Sequence, residues 1–210
     1  MKIEWMGHAC FAITTDAGLR IVTDPFDETV GYPLPWGRAD VATVSHGHFD
    51  HACYERLNPA NVVKEAGEYV FGDVKITGIP SFHDDAEGAK RGTNVMYVIE
   101  ADGKRVAHLG DLGHMLSDAQ VKALGKLDAL MIPVGGTYTL TGEQAAEQAR
   151  AIGAEAVVPM HYSNDFCKFD ITTEVPFLQA MNEPIEDIYS FVPGTEFAPV
   201  VLMELCEEEE

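Results

Sequence analysis

Short apolar runs broken by turn residues fill the first half of the chain. Ile3–Met6, Cys10–Thr14 and Leu19–Thr23 lean towards strand, with Asp16-Ala17-Gly18 as a turn between the last two. Val41–Ser45 is a nearly continuous apolar run ending in polar residues. Glu68–Phe71 and Val74–Thr77 flank Gly72-Asp73, and Asn94–Glu100 and Lys104–Leu109 flank Asp102-Gly103, two hairpin signals. The second half alternates helix and strand. Ser117–Leu124 predicts a helix capped by Ser117, and Thr141–Ala151 a stronger one capped by Thr141 with Gly153 past its end. Leu130–Val134 and Ala156–Met160 read as buried strands. Thr173–Met181 predicts a helix with Pro176 in its first turn, and Tyr189–Val192 and Phe197–Leu202 predict closing strands. Many strands with few helices in mixed order predict a layered α/β (α+β) fold. No repeat or composition break divides residues 1–210, so one domain is expected. The irregular Gly31–Gly37 loop either lines a pocket through Tyr32 and Trp36 or is a proline-stiffened surface loop.

Composition narrows the partners. The chain has 210 residues and a net charge of −20, from 34 acidic against 14 basic side chains. That balance argues against gripping duplex nucleic acid or anionic lipid through a broad basic face. A local positive site remains open, because a bound cation can be the largest charge in a site. No secretory signal is visible, and no apolar run approaches the roughly 18 residues of a membrane span. Cys10, Cys53, Cys167 and Cys206 are widely spaced, which fits free thiols and a cytoplasmic location. The Glu207–Glu210 tail is expected to be solvated.

The sharpest chemical signal is Ser45-His46-Gly47-His48-Phe49-Asp50-His51, directly after a buried-type strand. Imidazole and carboxylate ligate zinc and neighbouring transition metals. A strand-to-loop transition lets His46 and His48 face one ion while Asp50 and His51 face another. Three later residues have matching chemistry, and each follows a predicted strand: His83, Asp111 and His161. Strand C-terminal ends are where open α/β sheets commonly place ligands.

The order His-x-His-x-Asp-His, then His, then Asp in a Gly-Asp context, then His, resembles the metallo-β-lactamase-fold hydrolases. Flanking segments carry the likeness further: Trp5-Met6-Gly7-His8, Thr23-Asp24-Pro25, Pro133-Val134-Gly135-Gly136 and Pro159-Met160-His161-Tyr162. The resemblance spans roughly Met1 to Tyr162 and is nearest to the compact branch that includes ascorbate-phosphate lactonase-like enzymes. It implies an αββα sandwich with the site at one edge. It further implies that His46, His48 and His83 hold one metal, that Asp50, His51 and His161 hold a second, and that Asp111 bridges both. The implied cofactors are two divalent ions, zinc first, with manganese or iron also tolerated by such ligands. The implied activity is attack by a metal-activated hydroxide on a small ester, lactone or phosphoester. The family's oxygen-reducing diiron branch carries Glu where this chain has His48, which lowers an oxidoreductase reading.

No Gly-x-Ser-x-Gly elbow or P-loop competes with this site. Asp50 is a candidate for proton transfer as well as ligation. His114, three residues after Asp111, is a candidate catalytic proton donor. Asp24 is a candidate partner for a metal-bound imidazole. His8 and His108 read as structural or as supporting the ligands. Lys90, Arg91 and Tyr138 are candidates for binding a small, anionic substrate. Two other readings stay open: a phosphodiesterase or nuclease of small or single-stranded substrates, and a metal-binding sensor without turnover.

Overall fold

A computed structural model describes residues 1–206, so the expectation for the Glu207–Glu210 tail lies outside the described residues. The early strands pair as their alternation predicts. β1 (Lys2–Gly7), β2 (Cys10–Thr14) and β3 (Arg20–Thr23) form an antiparallel meander. β4 (Val41–Thr43) and β5 (Asn61–Val63) extend it in parallel. The second sheet starts with β6 (Gly67–Phe71), β7 (Val74–Phe82), β8 (Thr93–Ala101) and β9 (Lys104–His108), all antiparallel neighbours. It continues in parallel through β10 (Ala129–Pro133) and β11 (Ala156–Met160), then β14 (Val200–Met203) and β12 (Ile185–Ile188). β13 (Ser190–Phe191) crosses to the first sheet and pairs with β1. All five residues of β10 and of β11 are buried, as strands covered on both faces require.

Among the described residues, three α-helices complete the layered α/β fold. α1 (Asp118–Leu124) and α2 (Gly142–Ile152) begin on capping boxes, Ser117 with Gln120 and Thr141 with Gln144. α3 (Val175–Met181) carries Pro176 in its first turn. α2 packs on β10 between α1 and α3.

Both sheets feed one buried apolar cluster. Polar ties cross it where the site lies. The buried Tyr97 hydroxyl donates to Val44 O at 2.8 Å, at the end of β4. His108 donates from Nε2 to Ala9 O at 2.7 Å and accepts from Gly110 N at Nδ1, so its role is structural. Among the described residues, which include all four cysteines, there is no disulfide. No described helix is long and apolar enough to cross a membrane.

Three elements differ from the pattern-based expectation. β7 runs on to Phe82 through Gly78 and Pro80, both of which read as strand breakers. Gly78 is required because a Cβ there would strike the Glu65 and Ala66 backbone, and β8 pairs with the whole extension. The extension matters, since it delivers His83. β5 and β12 have no counterpart in the apolar pattern; both are short, and each is defined by its parallel neighbour. The Gly31–Gly37 loop does not line the metal-side cavity. Tyr32 is buried against Trp5, Phe26 and Phe166, and Trp36 lies under the Arg20 guanidinium.

Candidate metal centre

The site forms where six strand ends from the two sheets meet. The turn after β4 carries His46, His48, Asp50 and His51, and it is folded back by His51 N donating to His48 O at 3.0 Å. Its base is nailed down by Asp24, just after β3. Asp24 Oδ1 accepts from Ser45 N at 2.8 Å, and Oδ2 accepts from Ser45 Oγ at 2.5 Å. His83 follows β7, Asp111 follows β9, and His161 follows β11. Three residues at these ends, His8, Asp24 and His161, hold left-handed backbone at φ 53°, 41° and 54°. Such conformations cost on the order of 1 kcal/mol or more each and persist where surrounding bonds impose them. Here His161 N donates to His8 O at 3.2 Å, joining the two sheets.

The side chains converge on Asp111. Its Oδ2 lies 3.2 Å from His83 Nε2, 3.3 Å from His161 Nε2 and 3.9 Å from His46 Nε2. Its Oδ1 lies 3.2 Å from His51 Nε2. Asp50 Oδ2 stands 3.4 Å from His51 Nε2 and 3.3 Å from His8 Nε2. One donor atom each from His46, His48 and His83 falls within a 4.8 Å group, and a second such group takes His8, Asp50, His51 and His161.

This arrangement fits a metal better than a hydrogen-bond network. His51 Nε2, His83 Nδ1, His161 Nδ1 and Asp111 Oδ1 are buried without a hydrogen-bond partner. Orphaned buried polar atoms are rare, and several in one place call for a missing group. A tetrahedral shell with bonds of about 2.0–2.1 Å has edges of roughly 3.3 Å, the spacing between the His51, His83 and His161 Nε2 atoms and the Asp111 oxygens. His51 donates from Nδ1 to Asp24 Oδ2 at 2.8 Å, so its Nε2 faces two carboxylates. Burial opposes the charge, yet Asp111 and Asp50 raise the His51 pKa well above the ordinary value. A metal ion bound there would require His51 as the neutral imidazole. Burial pushes His46 down to about 3 and His8 down to about 4, which keeps both as neutral imidazoles, the ligating form. Burial works against ionisation of Asp111 and Asp50, but neighbouring histidines hold both carboxyls well below the usual range.

A cavity of about 290 Å³ opens onto the cluster. Its floor includes His48, Asp50, His83, Asp111 and His161, and its walls are Phe49, Phe169, Tyr138 and Arg91. Phe49 and Phe169 meet edge to face at 6.1 Å.

Two sequence candidates lie elsewhere. His114 is turned away: its Nε2 accepts from Phe82 N at 3.3 Å and its Nδ1 donates to Met115 O at 2.9 Å, in a separate cavity. His114 does not reach the cavity above the cluster and is not placed to donate a proton there. Gly113 N donates to Phe82 O at 3.0 Å, which ties the His114 segment to the end of β7 and outside the cavity lining. Lys90 is exposed and pairs with Asp85 at 2.6 Å rather than facing the cavity.

Two supporting residues escaped the sequence reading. Asn94, fully buried, accepts from Asp111 N at 3.0 Å and donates to Ser81 Oγ and Leu109 O. Asp84, also buried, accepts four backbone N–H bonds, from Ala86, Gly88, Lys90 and Arg91. The only advance signal was a polar residue inside an apolar strand for Asn94 and an acid next to a glycine-rich loop for Asp84.

Comparison with known proteins agrees with this geometry. The profile of the β-lactamase superfamily domain matches residues 2–161. A UPF0173 metal-dependent hydrolase of Methanoculleus marisnigri is 35% identical over 188 residues, 77% of this chain and 81% of that protein. One from Alkaliphilus metalliredigens is 30% identical over 233 residues, 91% of this chain and all of that one. A Thermotoga maritima crystal structure, assigned as a Zn-dependent hydrolase of the metallo-β-lactamase superfamily, is 38% identical. It superposes with a TM-score of 0.78 and covers 96% of this chain and 97% of its own.

Proposed function

The chain belongs to the metallo-β-lactamase superfamily, and from that membership and the site geometry we propose a metal-dependent hydrolase of a small ester, lactone or phosphoester. In this reading His46, His48 and His83 would hold one divalent ion and Asp50, His51 and His161 a second, with the Asp111 carboxylate available to both. The observation that supports it is the convergence of the His51, His83 and His161 Nε2 atoms on the Asp111 carboxylate at ligand-shell spacing, with His51 Nε2 and Asp111 Oδ1 buried and without a hydrogen-bond partner. When bound, divalent ions supply Lewis acidity and bring the pKa of water towards neutrality, so no Ser or Cys nucleophile is needed.

The chain's own residues set the rest. Asp24 orients His51 and, through Ser45, the turn that carries four of the donors. His8 donates to Asp50 Oδ2 and holds that carboxylate at the cavity floor. Phe49 and Phe169 shield one side from water and offer an apolar wall to the substrate. The cavity volume suits a small molecule and leaves little room for a polymer.

The test is turnover of a panel of chromogenic esters, lactones and phosphodiesters by zinc- or manganese-loaded protein, before and after chelation. Chelator-sensitive turnover of at least one small substrate is expected. Absence of turnover across the panel by fully loaded protein overturns the hydrolase reading in favour of a metal-binding protein.

A further inference from the structure

Among the described residues, Arg91 is the only cationic side chain, histidines apart, lining the cavity above the cluster. It also lines a second cavity of about 440 Å³ on the other side of the His46–His48 turn, and His48 is the one other residue shared by both. Its placement is built rather than incidental. Asp84 gathers the backbone of residues 86–91 onto its two oxygens, with Arg91 N bound at 2.7 Å. The loop is closed by Gly92 N donating to Gly88 O at 2.9 Å and His83 N donating to Gly92 O at 3.1 Å. Arg91 and the donor His83 are therefore the two ends of one rigid loop. The guanidinium lies over the Tyr138 ring at 5.4 Å and donates from Nη2 to Thr137 O at 3.1 Å. These contacts use one of its five N–H groups, and the rest of the fork remains for a ligand.

We infer that Arg91 determines substrate specificity, selecting molecules that carry a carboxylate or phosphate group beside an apolar part packed on Phe49 and Phe169. The inference rests on the hydrolase reading for the reaction but not for the binding. A planar fork stacked on an aromatic ring is pre-organised for a two-oxygen anion, and little side-chain entropy is lost on binding. A local cation also explains how an anion approaches a protein of net charge −20. With one guanidinium on the wall, a single negative charge is matched.

The experiment compares zinc-loaded wild type with Arg91→Met and Arg91→Lys. Methionine keeps an apolar stem against Tyr138, and lysine keeps the charge without the fork. Substrates are 4-nitrophenyl esters with and without a terminal carboxylate on the acyl chain, together with methyl 4-nitrophenyl phosphate. Binding of benzoate, phenyl phosphate and benzyl alcohol is measured by calorimetry on the same preparations. The ratio of kcat/KM for anionic over neutral ester is expected to fall about 10- to 100-fold in Arg91→Met, the loss typical of a charge-assisted bidentate contact, and less in Arg91→Lys. Benzoate or phenyl phosphate binding should weaken in parallel, while benzyl alcohol binding is unaltered. Preference for benzoate or for phenyl phosphate identifies which anion the fork takes. An unchanged ratio together with unchanged anion binding overturns the inference and leaves the hydrolase reading standing. Arg91-dependent anion binding without ester turnover in wild type does the reverse.

Discussion

His51 donates from Nδ1 to Asp24 Oδ2 at 2.8 Å, and that bond aims its Nε2 at Asp50 and Asp111. Asp24 is fully buried and also binds Ser45, so one carboxylate orients a donor and anchors the turn bearing three more. Asp24→Asn would present an amide where His51 needs an acceptor. Metal affinity should fall about 10- to 100-fold, the usual effect of removing such a partner. Competition with a chromogenic chelator measures it. Unchanged affinity would show that His51 needs no such orientation.

His114 lies outside the site, held between Phe82 N and Met115 O. His114→Ala should leave kcat/KM within about twofold of wild type while costing about 1 kcal/mol in stability from two lost hydrogen bonds. Steady-state kinetics on any substrate the enzyme accepts checks this. A hundredfold loss of kcat with metal content intact would restore a proton-donor role.

Gly110 is the backbone step that lets Asp111 reach the centre. Its φ is +55°, and a Cβ there would run into Ser45 and Asn94. Gly110→Ala combines a left-handed alanine with overpacking, and should destabilise by about 2–4 kcal/mol. Chemical denaturation of metal-free protein reads that directly. Because Ser45 and Asn94 hold the β4 turn and the Asp111 backbone, metal content should fall as well.

Thr141→Ala separates stability from site integrity. Thr141 accepts from Gln144 N and caps α2, away from the cluster. The substitution should cost about 1 kcal/mol and leave metal stoichiometry unaltered. Metal loss in this variant would mean that the centre responds to general destabilisation, and would weaken the reading of Gly110→Ala.

The clustering of the candidate donors was legible in the sequence because each is a chemically distinctive residue at the end of an apolar strand. His46, His48, Asp50 and His51 announce themselves by density, and His83, Asp111 and His161 by position. The two capped helices were equally legible, since Ser117 and Thr141 act within their own first turns. What depends on distant chain was not. Asn94 has meaning only because it binds the Asp111 backbone seventeen residues on, and Asp84 only because its loop curls around it. β5 and β12 exist by virtue of their neighbours rather than their own pattern. In sequence His8 reads as structural or as supporting the ligands, and only the packing of the β1–β2 turn against β11 decides between them, with its ring 4.1 Å from that of His161.

The dinuclear assignment turns on Asp111, whose carboxylate faces donors of both groups. Elemental analysis of zinc per folded chain, for wild type and Asp111→Ala equilibrated with zinc and gel-filtered, tests it most directly. About two zinc ions per wild-type chain and fewer than about one in Asp111→Ala are predicted for a bridging carboxylate. Full two-zinc occupancy in Asp111→Ala would contradict it.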